Sequence, residues 1–380
     1  MDVDQKLVLL GGLSPRQFMR RHWQKHPCLI RQAVPGVQPP IGRAALFELA
    51  GRDDVESRLV SSTGGRWALR HGPFTRRQIP PGTRPGWTLL VQGLDLHVPA
   101  AHELLSRFRF VPEARLDDLM ISYASDGGGV GPHLDSYDVF LLQVDGRRRW
   151  RCGPVRDASL VPGMPVKLLS NFEPTEEWVL EPGDMLYLPP RWGHDGTAVG
   201  DDCMTCSVGF RTPTPTETAR EVLQRMIDAL DAPAEEPHYR DPAGSATATP
   251  GLIPEALQRF AQKAVIDALN DAHSLACALG ESLTEPKSIV WFEGGGELGD
   301  QQGVRLDARS RMMYDSHHVF INGESFRASG RDARLMRVLA DARRLDARAV
   351  AQLGGGAREL LNDWVESGWA HPDGQHDESD

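Results

Sequence analysis

The chain is poor in cysteine, with five in 380 residues. A sparse, odd-numbered set of thiols argues against a disulfide framework and fits a reducing compartment. No apolar run reaches the roughly 18 residues that cross a bilayer, so no membrane partner is expected. Residues 1–17 place acids ahead of a very short apolar stretch, the reverse of a secretory signal, and a cytoplasmic location is the expectation. An excess of cations is missing too: 42 Lys and Arg stand against 52 Asp and Glu, a formal net charge of −10. That balance weighs against broad nucleic-acid binding, whose phosphates call for clustered cations, and is compatible with a basic protein partner.

What is present is an ordinary globular composition, 40% hydrophobic and 25% charged, in a chain too long for a single core. Ser14 can cap a helix and Pro15 suits its first turn, so a helix is expected to about Lys25, where Pro27 ends it before an extended Cys28 to Arg31. From about residue 87 to 210, short β-branched and aromatic runs alternate with Gly, Pro or Asp clusters, which predicts an all-β sandwich or barrel. Two of these runs, Val139 to Val144 and Arg149 to Cys152, flank Asp145-Gly146, a hairpin signal. Beyond Phe210 the spacing turns helical over Thr216 to Leu230. A Pro-, Ala- and Gly-rich linker is expected over 231–254, then a second amphipathic helix from about Glu255 to Leu283. Strand-like pieces at Ser288 to Phe292 and Val319 to Ile321, with helices around 332–343 and 357–367, suit a winged-helix-like module. The polar end, 371–380, is expected to be disordered.

The chemistry concentrates in two segments. A glycine run, Gly127 to Gly129 and Gly131, leads into His133-Leu134-Asp135, and strand alternation puts His133 and Asp135 on one face. A turn at Pro182-Gly183-Asp184, a strand Met185 to Leu188 and a bend at Pro189 to Gly193 deliver His194. Two imidazoles and one carboxylate form a facial triad that leaves half the coordination sphere of Fe(II) open for a bidentate co-substrate and O₂. A co-substrate carboxylate needs a buried cation. In Arg147 to Cys152, alternation sets Arg148 with Trp150 and Cys152, the inward face, where a guanidinium can grip a carboxylate through two parallel hydrogen bonds. Ser122 can add a hydroxyl, Asp195 is a candidate support for a ligand imidazole, and Asp126 is a candidate contact for a cationic substrate.

These residues carry a family resemblance. Gly183, Pro189 and His194 have the spacing of the second cupin motif, and His133-x-Asp135 through Phe140 to Trp150 resembles JmjC-type oxygenases. Within these the chain is similar to the bacterial ribosomal oxygenases, with further matches at Phe18 to Arg31, Asp118 to Ser122 and Ser207 to Arg211. The resemblance implies a mainly β fold with α: a double-stranded β-helix (jelly-roll, cupin) JmjC domain over 1–212, a helical dimerisation region over 213–284, a winged-helix-like domain over 285–370 and a tail over 371–380. It implies Fe(II) on His133, Asp135 and His194, and 2-oxoglutarate anchored by Arg148 with Ser122 as a lesser contact. It also implies O₂ as oxidant, a homodimer, and hydroxylation of an arginine in a basic large-subunit ribosomal protein. Two other readings stand beside it: an oxygenase of a histidyl or lysyl protein or a small metabolite, and a silent cupin scaffold that binds nucleic acid through the winged-helix-like module. Cys203-x-x-Cys206 lacks a second pair and falls on opposite strand faces, so it reads as two separate thiols. His238 and His317-His318 lack carboxylate or cysteine companions in any metal pattern and read as structural.

Overall fold

The computed structural model describes residues 2–230, 238–299 and 301–373. The chain divides into two units, Met1–Thr212 with Ser288–Trp291, and Pro213–Lys287 with Phe292–Asp380.

Two long strands organise the first unit. Its elements are α1 (Pro15–Arg21), β1 (Cys28–Ile30), α2 (Arg43–Leu49), β2 (Ser57–Thr63), β3 (Arg66–His71), β4 (Trp87–Val91), α3 (Pro99–Ser106), β5 (Leu116–Ala124), β6 (His133–Leu134), β7 (Val139–Pro154), β8 (Glu176–Leu180), β9 (Met185–Leu188) and β10 (Trp192–Phe210). The sheet order is β1-β9-β7-β10-β5-β4-β2-β3, with β6 on β10 and β8 on β7. β7 and β10 pair antiparallel from Trp192 opposite Pro154 to Gly209 opposite Val139. β7 leaves β9 at Leu142 and takes up β8 at Arg148, while β10 leaves β6 at His194 and takes up β5 at Cys203. Each strand therefore serves both layers of a double-stranded β-helix.

Asp145-Gly146 is thus not a hairpin turn but a kink inside β7. Gly146 has φ 59°, and the register against β10 shifts on either side of Met204. Both a primed turn and a bulge ask for a residue at positive φ, so the same dipeptide serves either; here it bends the strand from one layer to the other. A Cβ at Gly146 would sit 2.8 Å from Asp202 O, which keeps glycine at the kink.

The strands bury themselves by alternation. Phe140, Leu142 and Val144 join the main core, whereas Val139, Leu141, Trp150 and Cys152 form a second cluster on the other face of β7. The Ser14–Gln17 capping box starts α1, which buries Phe18 against Tyr187 at a ring separation of 5.1 Å. The helix stops at Arg21 rather than Lys25, and Gln24 takes a left-handed φ of 56° just beyond it.

The second unit holds α4 (Pro215–Asp228), α5 (Glu255–Leu269), α6 (Ala272–Thr284), β11 (Val304–Leu306), β12 (Met312–Tyr314), β13 (His318–Ile321), β14 (Glu324–Arg327), α7 (Gly330–Ala342), β15 (Arg344–Leu345), α8 (Ala347–Val350), α9 (Gly355–Glu366) and β16 (Ala370–Pro372). The helix expected over Glu255 to Leu283 is two helices, because the Asp271 carboxylate accepts from His273 N at 3.0 Å and caps a new start. α4 packs on α6 through Val222, Met226 and Ala278. Small sheets β12-β13-β14 and β15-β11-β16 enclose a core with Val304, Ile321, Leu339 and Trp364, a winged-helix arrangement. Ser288 to Phe292 forms no strand. His371, expected to begin the tail, lies in β16 with Nε2 2.8 Å from Asp307 Oδ2; residues 374–380 of that tail and 231–237 of the expected linker lie outside the described residues. Among the described residues no helix is long and apolar enough to cross a membrane.

Candidate metal centre

Register brings the imidazoles together. His133 on β6 stands directly across from His194 on β10, with ring centroids 4.1 Å apart. Asp135 follows just past the end of β6, its Oδ2 3.5 Å from His194 Nε2, and one donor atom from each of the three lies within 4.8 Å of the others. The glycine run makes this approach possible: a Cβ on Gly129 would collide with Gly196 O, and Ala198 N donates to Gly128 O at 2.8 Å.

The tautomers follow from backbone partners. His133 Nδ1 donates to Gly131 O at 2.9 Å and His194 Nδ1 donates to Trp192 O at 3.1 Å. A carbonyl only accepts, so both Nδ1 atoms are protonated and both Nε2 atoms present lone pairs. Burial, and then the neighbouring His133, pushes His194 down to about 4, which keeps it neutral near pH 7. Two neutral imidazoles and a carboxylate fit one divalent iron-class metal with open positions.

Arg148 supplies the opposite pole. On β7 it faces Ala198 and Leu180 and is 4% exposed, while Arg147 and Arg149 are exposed on the other face. Its guanidinium lies 5.7 Å from the Trp150 ring centroid, and its Nε and Nη2 are buried without a hydrogen-bond partner. A buried, unpaired guanidinium costs several kcal/mol, on the order of the penalty for any desolvated ion, until an anion enters. Arg148 and the three donors line one cavity of about 440 Å³. Ser122 lines it as well, with Oγ 3.4 Å from Thr205 O.

Several sequence expectations change. Asp195 does not support a ligand imidazole; it pairs with Arg151, and backbone carbonyls orient the two rings instead. Asp126 is exposed, does not line the cavity, and accepts from Gly200 N at 2.8 Å. Cys203 and Cys206 are both buried but in different clusters, as strand alternation dictates. His318 is not bare, since His273, Cys277 and Asp315 gather about it. The sequence reading missed Arg58, Thr88, Asp118, Tyr137 and Lys167 as cavity residues. Thr88 was findable: along β4, Thr88 and Leu90 face the cavity while Trp87, Leu89 and Val91 face the core. Its Oγ1 is buried and has no partner.

The fold and its converging donors define a JmjC-type double-stranded β-helix built around a candidate metal triad. Residues 103–218 match the JmjC domain and residues 267–371 match the ROXA-like winged helix. The ribosomal protein uL16 3-hydroxylase of Escherichia coli (strain K12) is 37% identical over 277 residues, 71% of each chain. The X-ray structure of E. coli ycfD superposes with a TM-score of 0.81 at 29% identity, covering 94% of this chain and 98% of that one. A structure of the E. coli ribosomal oxygenase YcfD in complex with cobalt and 2-oxoglutarate gives a TM-score of 0.74 at 29% identity, with the same shares covered. The chain belongs to the JmjC-domain ribosomal oxygenases.

Proposed function

We propose that the protein is an Fe(II)- and 2-oxoglutarate-dependent dioxygenase that hydroxylates an arginine side chain of a large-subunit ribosomal protein. The observation that carries this reading is an unpartnered, buried Arg148 sharing one cavity with His133, Asp135 and His194. Those three residues would hold the iron, and Arg148 the distal carboxylate of 2-oxoglutarate, with hydroxyls from Thr88 and Ser122 nearby. Cobalt and 2-oxoglutarate in the E. coli neighbour support the assignment. Iron, 2-oxoglutarate and O₂ together supply the oxidising power that places a hydroxyl on an unactivated C–H and releases succinate. The chain's own part is placement and the exclusion of water: Val139, Leu141 and Trp150 wall the cavity with apolar surface.

The arginine assignment rests on the family. The cavity also holds Asp118, a carboxylate 3% exposed that accepts from Gln92 Nε2 at 2.9 Å, alongside Arg58 and Lys167. The homodimer rests on α5, none of whose residues is buried among the described residues. The cytoplasm, where ribosomes are, remains the proposed location.

The test is mass spectrometry of large-subunit ribosomal proteins incubated with the enzyme, Fe(II) and 2-oxoglutarate. One added oxygen on an arginine, with stoichiometric succinate, is expected. Oxygen on a histidine or lysine instead would overturn the arginine assignment. In Asp135→Ala, turnover should fall below detection while circular dichroism is unchanged; full iron-dependent turnover in that variant would remove the triad assignment.

A further inference from the structure

Away from the β-helix, three more donors meet where α6 packs on β13. His273 and Cys277 stand one turn apart on α6, and His318 opens β13. One ligand atom from each lies within 4.8 Å of the other two. His318 Nε2 is 3.1 Å from His273 Nδ1, and Cys277 Sγ is 3.7 Å from that same nitrogen. A tetrahedral zinc ion with ordinary Zn–N and Zn–S bonds holds two nitrogens about 3.4 Å apart and a nitrogen and a sulfur about 3.6 Å apart. The observed spacings fall within a few tenths of an ångström of both.

Asp315 prepares the buried imidazole. Its Oδ2 accepts from His318 Nδ1 at 3.1 Å, and its Oδ1 accepts the backbone N–H groups of His317 and His318 at 2.7 and 2.6 Å. The proton of His318 therefore sits on Nδ1, and Nε2 offers a lone pair from a residue only 5% exposed. A carboxylate behind a histidine is the usual outer support of a metal-bound imidazole. A hydrogen bond between the two rings would account for the 3.1 Å separation alone, but a His273 Nδ1 that donates to His318 Nε2 cannot also accept from the thiol that α6 brings to the same nitrogen.

We propose that His273, Cys277 and His318 bind a zinc-class divalent cation, with Asp315 as the positioning residue for His318. Exposed His273 leaves the fourth coordination position open toward solvent. The donor set mixes a thiolate with imidazoles, which selects zinc over iron, magnesium or calcium. Such an ion would fasten α6 to the β12-β13-β14 sheet, joining His273 to His318, 45 residues further along the chain.

Cobalt(II) separates this site from the triad, because the triad contains no sulfur. Under reducing conditions, the full chain titrated with Co(II) should develop a thiolate-to-cobalt charge-transfer band that is complete within two equivalents per chain, since the triad can take one, and is displaced by Zn(II). The band should persist in Asp135→Ala and disappear in Cys277→Ser, which keeps oxygenase turnover. Asp315→Asn should weaken zinc binding by about 10–100-fold. His273→Ala, altered at an exposed side chain, should lose the band without loss of fold by circular dichroism. Absence of the band in the unaltered protein, or an identical band in Cys277→Ser, overturns the proposal.

Discussion

Arg148 sets the strongest expectation at the scale of a single residue. Its guanidinium is buried beside Trp150 without a hydrogen-bond partner at Nε or Nη2, so it is held at a cost until a carboxylate arrives. Arg148→Met should raise the KM for 2-oxoglutarate by about 100-fold or more, since a buried charged pair is worth several kcal/mol to binding. The same variant, free of co-substrate, should melt at or above the temperature of the unaltered protein. A lower melting temperature together with an unchanged KM would show that Arg148 has a structural role only. Asp184 behaves in the opposite way. Burial pushes its carboxyl up, but the N–H groups of Gln32 and Glu181 and the Arg31 guanidinium outweigh that and hold it below the usual carboxylate range. Its contribution to stability is therefore complete above about pH 4 and fades as pH falls through the lowered value. Asp184→Asn should cost about 1–3 kcal/mol at pH 7 in urea unfolding, and the difference should shrink toward pH 3.

At the scale of elements, the β6–β10 pairing depends on the glycine run lying flat on β10. Gly129→Val would force the backbone away from Gly196 and should cost about 1–3 kcal/mol in thermal unfolding, with weaker metal binding because His133 moves. The segments that carry the triad were legible because motif spacing and the Gly and Pro boundaries are local signals. So was the inward face of Arg148, read from Trp150 and Cys152. The strands of the triad were not fully so: β10 runs unbroken from Trp192 to Phe210 where a bend to Gly193 and a strand from Met204 were expected, and Asp135 lies just past the end of β6. The kink at Asp145-Gly146 was not legible, since turn and bulge ask the same residues for the same φ. The break between α5 and α6 had a local signal in Asp271, but it was masked by apolar spacing that continues through it. His318 read as structural, without its companions His273 and Cys277, for a different reason: the strand and the helix that unite the three are brought together only by tertiary packing. The cavity residues of β2, such as Arg58, lie upstream of the stretch in which strand texture was evident.

At the scale of the whole molecule, α5 stands out. It is 15 residues long and buries none of them, and Leu257, Phe260, Val265 and Leu269 are all exposed. A helix of that length is marginal in water without a partner surface. Sedimentation at micromolar concentration should find a dimer, and Phe260→Glu should shift it to monomer with the β-helix intact. A monomer in the unaltered protein would count against a second copy as the cover. The paired ribbon of β7 and β10 has a last consequence. Cys152 faces His194, and Arg148 lies back along the same strand opposite Ala198, so about 13 Å of pleated backbone separates the two levels. The proposed metal end and anion end of the cavity are thus gauged against each other by covalent chain, as the jaws of a calliper are by its beam. Keto-diacids one carbon longer or shorter than 2-oxoglutarate should not seat in both jaws at once, and substitutions that leave His194 and Arg148 in place should not reset the gap.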